Sequence, residues 1–298
     1  MTLFRWLWQQ PYLLLTLAAL SWGANAVAGK LAVGHVSPFL LTLSRWVFLI
    51  ALLVPFALPG LRRDWPVIRS RLPFLFLLGA IGFTLFNNIF YSAAIHTTAL
   101  NLAIIQAGMP LCVFLFNLAL FGIRTTPLQA FGYAITLAGV LVTASHGSLE
   151  RLATLSFNHG DILMLAAIAA YGLYSVLLKN KPAMHWMSFI FILAASAALV
   201  AIPFAAYEAR SSGFIFPDAQ GWAVIAFSVV VPSFIAQVVW IRGIEIVGAN
   251  SGGVFINLVP VFGAFLAVLI LGEEFRLYHA LALSLVLGGV WIAQKKTA

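Results

Sequence analysis

The stretch LSWGANAVAGK, Leu20 to Lys30, is written a second time as AAYGLYSVLLK, Ala169 to Lys179. Each copy reads aromatic, Gly, three residues, Val, two residues, Lys, and the second lies 149 positions after the first. What surrounds the two copies decides the fold. Of 298 residues, 63% are hydrophobic and 8% charged, and the mean hydropathy of +1.04 is far above what a water-exposed surface tolerates. The apolar residues come in long runs without sustained alternation. Such runs fit helices of about 20 residues crossing about 30 Å of hydrocarbon, not barrel strands of about 10 residues. The chain therefore reads as an all-α integral membrane protein.

Apolar runs between polar breaks predict ten transmembrane helices. They cover Pro11 to Val33, Pro38 to Leu58, Pro73 to Tyr91, Leu100 to Gly122, Pro127 to Ala144, Ile162 to Leu178, Trp186 to Tyr207, Trp222 to Ile241, Ser251 to Gly272 and Tyr278 to Ala293. Arg5, the apolar run after it and the patterns Ala24-Asn25-Ala26 and Ala26-Val27-Ala28 also match the outline of a cleavable secretory signal. The later copy of the motif argues instead that the first span belongs to the fold. The net charge of +8 is explained by its distribution. With the N-terminus cytoplasmic, Arg5, Arg62, Arg63, Arg69, Arg71, Arg124, Lys179, Lys181, Arg242, Lys295 and Lys296 fall on the cytoplasmic side, and only Arg151, Arg210 and Arg276 clearly outside. That is the positive-inside bias, and it puts both termini in the cytoplasm. The single Cys112 lies within a span and leaves no intramolecular disulfide to form.

The repeat extends along the whole chain. Asn88 and Tyr91 match Gln237 and Trp240 at 149, Pro55 matches Pro203 at 148, and from Ala99 onward the offset is 150. That last register pairs Ala99 with Ala249, Pro110 with Pro260, Gly122 with Gly272, Ala130 with Ala280, Leu137 with Leu287, Gly139 with Gly289 and Val140 with Val290. Each copy holds five helices, and an odd number makes the second enter the membrane from the opposite side. The halves are residues 1–148 and 157–298, with 149–156 at the centre of the polar connector SHGSLERLATLSFNHGD. Two inverted five-helix repeats are a usual architecture of secondary transporters, in which one half rocks against the other around a midplane site.

Several of these residues also carry a family resemblance. Ten spans in five-plus-five repeats, Trp22-Gly23 followed by Lys30, Arg45 in LTLSRW, the Pro-containing fourth and ninth spans, Gly122, and LGEE at Leu271 to Glu274 resemble the EamA group of the drug/metabolite transporter superfamily. The match covers essentially the whole chain. In length and aromatic content it is most similar to the group's aromatic amino acid exporters, which implies export of aromatic and other neutral amino acids across a bacterial inner membrane. The signature is present in one half only, because Gly122-Ile123-Arg124 stands where the second copy has Gly272-Glu273-Glu274.

A carrier site is expected near the midplane between repeats, from polar and aromatic groups at symmetric places. Trp22 and Asn25 with Tyr171 and Tyr174, and Asn88 and Tyr91 with Gln237 and Trp240, meet that description. Within each pair the residues are three apart and share a helix face. The competing account is that Trp and Tyr form interfacial belts while amides tie helices together. It suits Trp8, Trp186 and Trp291 near span ends; the symmetric set fits a cavity better. Gln106 and Asn257 are weaker candidates, because their repeat partners are Ile256 and Ala107.

Arg45 lies about seven residues into its span, about 10 Å deep at 1.5 Å per residue, and its counterpart region around Ile192 to Ala194 carries no charge. Such a charge is costly and usually functional. It can meet a substrate carboxylate or, with a structural role slightly favoured, backbone carbonyls at a helix end. Lys30 and Lys179 are expected to snorkel. Pro110 and Pro260 remove a helix hydrogen bond in matching spans, and Gly248, Gly252 and Gly253 allow close approach; Pro110, Pro260 and Gly252 are the gating candidates, although packing alone explains them as well.

The eight acidic residues fall in loops or at span ends and form no carboxylate relay, and no GxxxxGK[ST] loop is present. Facilitated diffusion is the expectation, with exchange or weak coupling through Glu245 or His96 left open. An intramembrane enzyme is the rival from another class. Its nearest nucleophile motif is GANSGG around Ser251, without a recognisable His/Asp arrangement, and the six His residues show no metal spacing. A nearer alternative keeps the transporter and changes the cargo to drugs, nucleotide sugars or other metabolites. Phosphorylated cargo would want several buried cations, and only Arg45 is deep. The expected partners are the bilayer and a small-molecule substrate, with no nucleic acid, metal or cofactor; a monomer is compatible with the chain.

Overall fold

The computed structural model describes residues 6–124, 126–154, 157–211, 214–248, 252 and 254–294. Arg5, Ala249, Ser251, Gly253, Lys295 and Lys296 lie outside that set. Among the described residues every regular element is helical. Nine helical runs are long and apolar enough to cross a membrane: Pro11–Leu31, Pro38–His96, Ala99–Phe121, Pro127–Ala144, His159–Asn180, Trp186–Ser211, Ala219–Val247, Val254–Leu271 and Leu277–Gln294.

Ten spans become nine runs because the second and third are one helical segment of 59 residues. Drawn straight, it would measure about 90 Å, three times the hydrocarbon thickness. Instead it doubles back: Trp46 stacks on Phe83 with ring centroids 4.5 Å apart, and Arg45 is hydrogen-bonded to Asn87 and Tyr91. Pro55, Pro59, Pro66 and Pro73 fall in the reversal, each removing a backbone donor and crowding the preceding turn. The connection expected as a loop is thus a bent helical passage carrying Arg62, Arg63, Arg69 and Arg71. Asp64 Oδ2 accepts the His185 N–H at 2.9 Å and ties this bend to the start of the seventh span.

The repeat persists in the irregularities of the helices. A π-helical turn spans Ala80–Leu85 in the third span and another spans Val229–Ile235 in the eighth, at the same repeat offset. The fourth span is broken between Ala99–Gln106 and Met109–Phe121, and the ninth begins with a 3-10 turn, Val254–Asn257, before Leu258–Leu271. Pro110 therefore stands in the first turn after the break and Pro260 in the first α-helical turn after the 3-10 segment, where a missing donor costs little. Both spans end on a left-handed glycine, Gly122 (φ +64°) and Gly272 (φ +66°). In each, the glycine N–H and the next N–H return to carbonyls of the last turn, closing the helix in the way an L residue would strain.

The fifth and tenth spans approach backbone to backbone. A Cβ on Gly132 would stand 2.6 Å from Gly289 O, and one on Gly289 2.5 Å from Gly132 O. Small residues supply the contact where lipid gives no hydrophobic drive for helix association. The first span occupies the centre, packed on the third, fourth, eighth and ninth.

Candidate functional site

The core of the site is Arg45, 6% exposed. Its Nε donates to Ser233 Oγ (2.7 Å), and its Nη1 donates to Tyr91 OH (2.6 Å), Asn87 Oδ1 (3.0 Å) and Asn25 Oδ1 (3.1 Å). Tyr91 OH donates in turn to Asn25 Oδ1 at 3.3 Å, and Ser233 Oγ to the Ser228 carbonyl at 2.7 Å. That carbonyl lies five residues back, so the eighth span's π turn presents the hydroxyl. The first, third and eighth spans all converge on a guanidinium from the second. This corrects the expectation of backbone carbonyls, since every acceptor is a side-chain oxygen. All are neutral, and no carboxylate among the described residues forms an ion pair with Arg45.

Aromatic side chains surround this polar knot. Arg45 Cζ lies 5.0 Å from the Trp46 ring centroid. From Trp46 the contacts run to Phe83 (4.5 Å), Tyr174 (6.0 Å), Tyr171 (5.2 Å) and Phe86 (5.0 Å). They return through Phe90 (5.6 Å) to Tyr91 (5.5 Å), which closes the circuit on Arg45. Trp22 and Trp240 form a separate pair at 5.2 Å, and Trp22 Nε1 donates to the Pro232 carbonyl, freed in the other repeat's π segment, at 3.1 Å.

The expected residues divide accordingly. Asn25, Arg45 and Tyr91 come together, as do Trp22 with Trp240 and Tyr171 with Tyr174. Gln237 is half-buried one turn before Trp240. Asn88 is buried, but its Oδ1 and Nδ2 have no partner among the described residues; its neighbour Asn87 meets Arg45 instead. Asn257 bonds Gln294 at 3.3 Å, a tie between the ninth and tenth spans rather than a cavity contact. Gly252 is buried against the Ile244 side chain. Asn87 and Ser233 escaped the sequence reading. Asn87 has Ala236 as its repeat partner, so symmetry passed over it, whereas Ser233 pairs with Thr84, a hydroxyl match that symmetry could have found.

The two faces differ. On the face away from the termini, the distal face, Ala99 through Ile105 are all buried; toward the termini, Met109–Phe121 contains no buried residue. Lys30 does not snorkel: its Nζ donates to Ala94 O (3.0 Å) and Thr97 O (2.8 Å), capping the end of the third span. Lys179, near the opposite face, donates to Asn117 Oδ1 at 2.6 Å. Asp161, fully buried, accepts from Thr97 Oγ1 (2.5 Å), His146 Nε2 (3.2 Å) and Asn101 Nδ2 (3.3 Å). Glu208 receives the Phe39 and Leu40 N–H groups, while Asp218 meets His35 at 2.7 Å. The Gly221 N–H, then His35, hold the exposed Asp218 carboxyl below its ordinary range. An apolar vestibule of about 210 Å³ enters between Gly34, Val36, Pro38 and Ile215 and reaches down to Leu41 and Tyr91.

Glu273 explains the one-sided LGEE signature. Its two oxygens accept the Ala99 and Leu100 N–H groups at 2.8 Å each, capping the fourth span on the distal face. Among the described residues Glu274 pairs only with exposed Arg276. The repeat position of Glu273 is Ile123, which has no carboxylate for the equivalent role. Glu273→Ala is expected to destabilise the protein by about 1–2 kcal/mol, the usual worth of a helix cap, with Glu273→Gln between. An unchanged thermal midpoint for both variants would deny the cap any weight.

Two inverted five-helix halves, a broken fourth span, a ninth that opens on a 3-10 turn and a polar knot between the repeats define a multi-pass membrane transporter. The chain belongs to the EamA-like transporter family, whose model matches residues 9–145 and again 158–294. It is 25% identical to the uncharacterized transporter YyaM of Bacillus subtilis over 95% of this chain and 92% of that protein. It is 26% identical to an uncharacterized transporter of Archaeoglobus fulgidus over 96% of this chain and 98% of that protein. A probable terminal-alkyne amino-acid exporter of Streptantibioticus cattleyicolor is 24% identical over 95% of this chain and 93% of that protein. A solved crystal structure shares the fold with a TM-score of 0.61 at 22% identity, covering 95% of this chain and 96% of the other. The transporter family takes the place of the enzyme reading, whose candidate Ser251 lies outside the described residues. Among the described residues no group of three or more His, Cys, Asp or Glu is arranged to hold a metal.

Proposed function

We propose that this transporter exports amino acids, aromatic and other neutral ones, by alternating access through the space between its repeats. The observation that carries the reading is the Arg45 knot with its aromatic surround, built from both repeats and deep in the spans. An amino acid offers a charged carboxylate beside an apolar side chain, and this site offers a guanidinium beside Trp, Tyr and Phe faces. The probable terminal-alkyne amino-acid exporter among the relatives supports an amino-acid cargo. The positive-inside bias supports a cytoplasmic face for the termini, and the family resemblance supports a bacterial inner membrane. The distal face, where Ala99 through Ile105 are buried, is the more closely packed of the two in this state. Movement would occur at the break before Pro110, at the 3-10 to α junction before Pro260 and beside Gly252. Glu245 pairs with Arg242 at 3.3 Å and His96 rests on His159 at 5.1 Å, both away from the knot, so transport down the cargo gradient remains the favoured coupling.

Uptake of radiolabelled phenylalanine, tryptophan, threonine and methionine into liposomes holding the purified protein tests this. Saturable uptake is expected, falling about tenfold or more in Trp22→Ala, Tyr91→Ala and Trp240→Ala, since a lost aromatic contact of about 1.4 kcal/mol is a factor of ten. Folded protein that carries none of the four amino acids sinks the proposal.

A further inference from the structure

Resting on the reading that cargo passes between the repeats, we infer that Arg45 anchors a carboxylate on the transported molecule. The cargo class is then the monocarboxylic acids, zwitterionic amino acids among them, and matched amides are excluded.

Three observations carry this. First, Arg45 is buried with only neutral acceptors around it. A guanidinium keeps its charge when desolvated, and neutral oxygens compensate it less well than an anion does. An uncompensated charge deep in a span is costly, and an arriving carboxylate would relieve that cost. Second, the fork is incompletely used. Nη1 is shared among three oxygens, while Nη2 has no hydrogen-bond partner among the described residues. A carboxylate takes two parallel N–H groups from such a fork, a geometry that an amide or amine cannot reproduce. Third, polar atoms on the second and third spans are buried without partners: Trp46 Nε1 and both amide atoms of Asn88, residues 4% and 2% exposed. Buried donors and acceptors are normally satisfied, and Trp46, whose ring lies 5.0 Å from Arg45 Cζ, carries such an orphan beside the charge, which marks a place for a polar ligand.

The charge count limits the cargo further. Among the described residues Arg45 is the only buried Lys or Arg, which suits one negative charge and not a phosphate dianion. Tyr91 links the anchor to the exit, because its hydroxyl lies on Nη1 and it also lines the distal vestibule. A carboxylate that takes over Nη1 competes with Tyr91 for it, so loading the anchor and loosening the vestibule floor become one event.

The test uses matched pairs against the full-length protein: L-phenylalanine with L-phenylalaninamide, L-threonine with L-threoninamide, and 3-phenylpropanoate with 3-phenylpropanamide. Binding is read as the shift in thermal midpoint with concentration, and transport as uptake into liposomes. Each acid that binds is expected to do so about ten- to a hundredfold more tightly than its amide, the range for hydrogen bonds to a charged group. In Arg45→Lys, a point charge without the fork, the acid-to-amide ratio should fall several-fold. Should that variant fail to fold, the wild-type pairs decide alone. Acids and amides bound equally overturn the anchor even if amino acids are carried, and so does a panel in which no acid binds. Phenylpropanoate bound and carried in preference to its amide, with no amino acid carried, keeps the anchor and removes the amino acid reading.

Discussion

Gly23→Val is expected to leave no correctly folded transporter, and Gly23→Ala to destabilise it by about 1–3 kcal/mol, the range for overpacking a tight core. A Cβ on Gly23 would stand 2.7 Å from Val259 O and 2.8 Å from Gly263 N, atoms of the ninth span's backbone. Backbone cannot rotate aside as a side-chain end can, so the two helices must separate. That separation pulls at the centre of the molecule, where Gly263 in turn meets Ala103 of the fourth span. The repeat gives an internal control in Gly172. Its Cβ would meet Cys112 Cβ at 2.7 Å but the backbone of the fourth span only at 3.2 Å and beyond, leaving more room to adjust. Thermal midpoints of the four variants, Gly23 and Gly172 each to Ala and Val, should rank the Gly23 changes as the more damaging. The reverse order would falsify the packing argument.

Asp161→Ala should cost about 3 kcal/mol or more, with Asp161→Asn recovering part of it. The carboxylate is wholly buried and collects Thr97, Asn101 and His146 from the third-to-fourth connection, the fourth span and the end of the fifth. Alanine takes away the acceptor used by the Thr97 hydroxyl and His146 and leaves Asn101 Nδ2 to Thr97 Oγ1, and each unsatisfied buried group costs about 1–3 kcal/mol. Asn keeps one oxygen acceptor and the shape. His146 also holds a left-handed backbone, φ +53°, unusual for a residue with a Cβ. Its bond to Asp161 and its contact with Arg151 (3.2 Å) help to keep it there. The check is the thermal midpoint of purified protein together with protease nicking near the connector from the distal side. Wild-type values for the Ala variant in both would show that this network does not fasten the distal face.

Much of the molecule was legible because its signals are local. A helix in hydrocarbon announces itself by an apolar run, and a duplicated helix by identical residues at a fixed offset. The Gly of the opening motif is explained at the same level: Gly23 admits the ninth span and Gly172 the fourth, so each copy of the motif seats the fourth helix of the opposite repeat. The reversal between the second and third spans was not legible. Its arginines and prolines look like a loop in sequence, yet an interfacial bend can keep backbone hydrogen bonds through several kinked turns.

Arg45 shows most directly where sequence stops. Its depth and isolation could be counted along the chain, and they marked it as unusual. Its partners stand at Asn25, Asn87, Tyr91 and Ser233, up to 188 positions away, and nothing local selects them. Choosing Asn87 over Asn88 is a matter of about 100° of rotation around one helix, fixed by the π turn that precedes it and by the spans packed against it. Lys30 followed the same rule: its place near a span end suggested water, and the carbonyls of the third span claimed it. The sequence by itself determined the number, order and inverted pairing of the spans, because hydrophobic length and repetition are written along one dimension. Only the tertiary structure decided which faces meet, because helix rotation and crossing are set by packing among spans far apart in the chain.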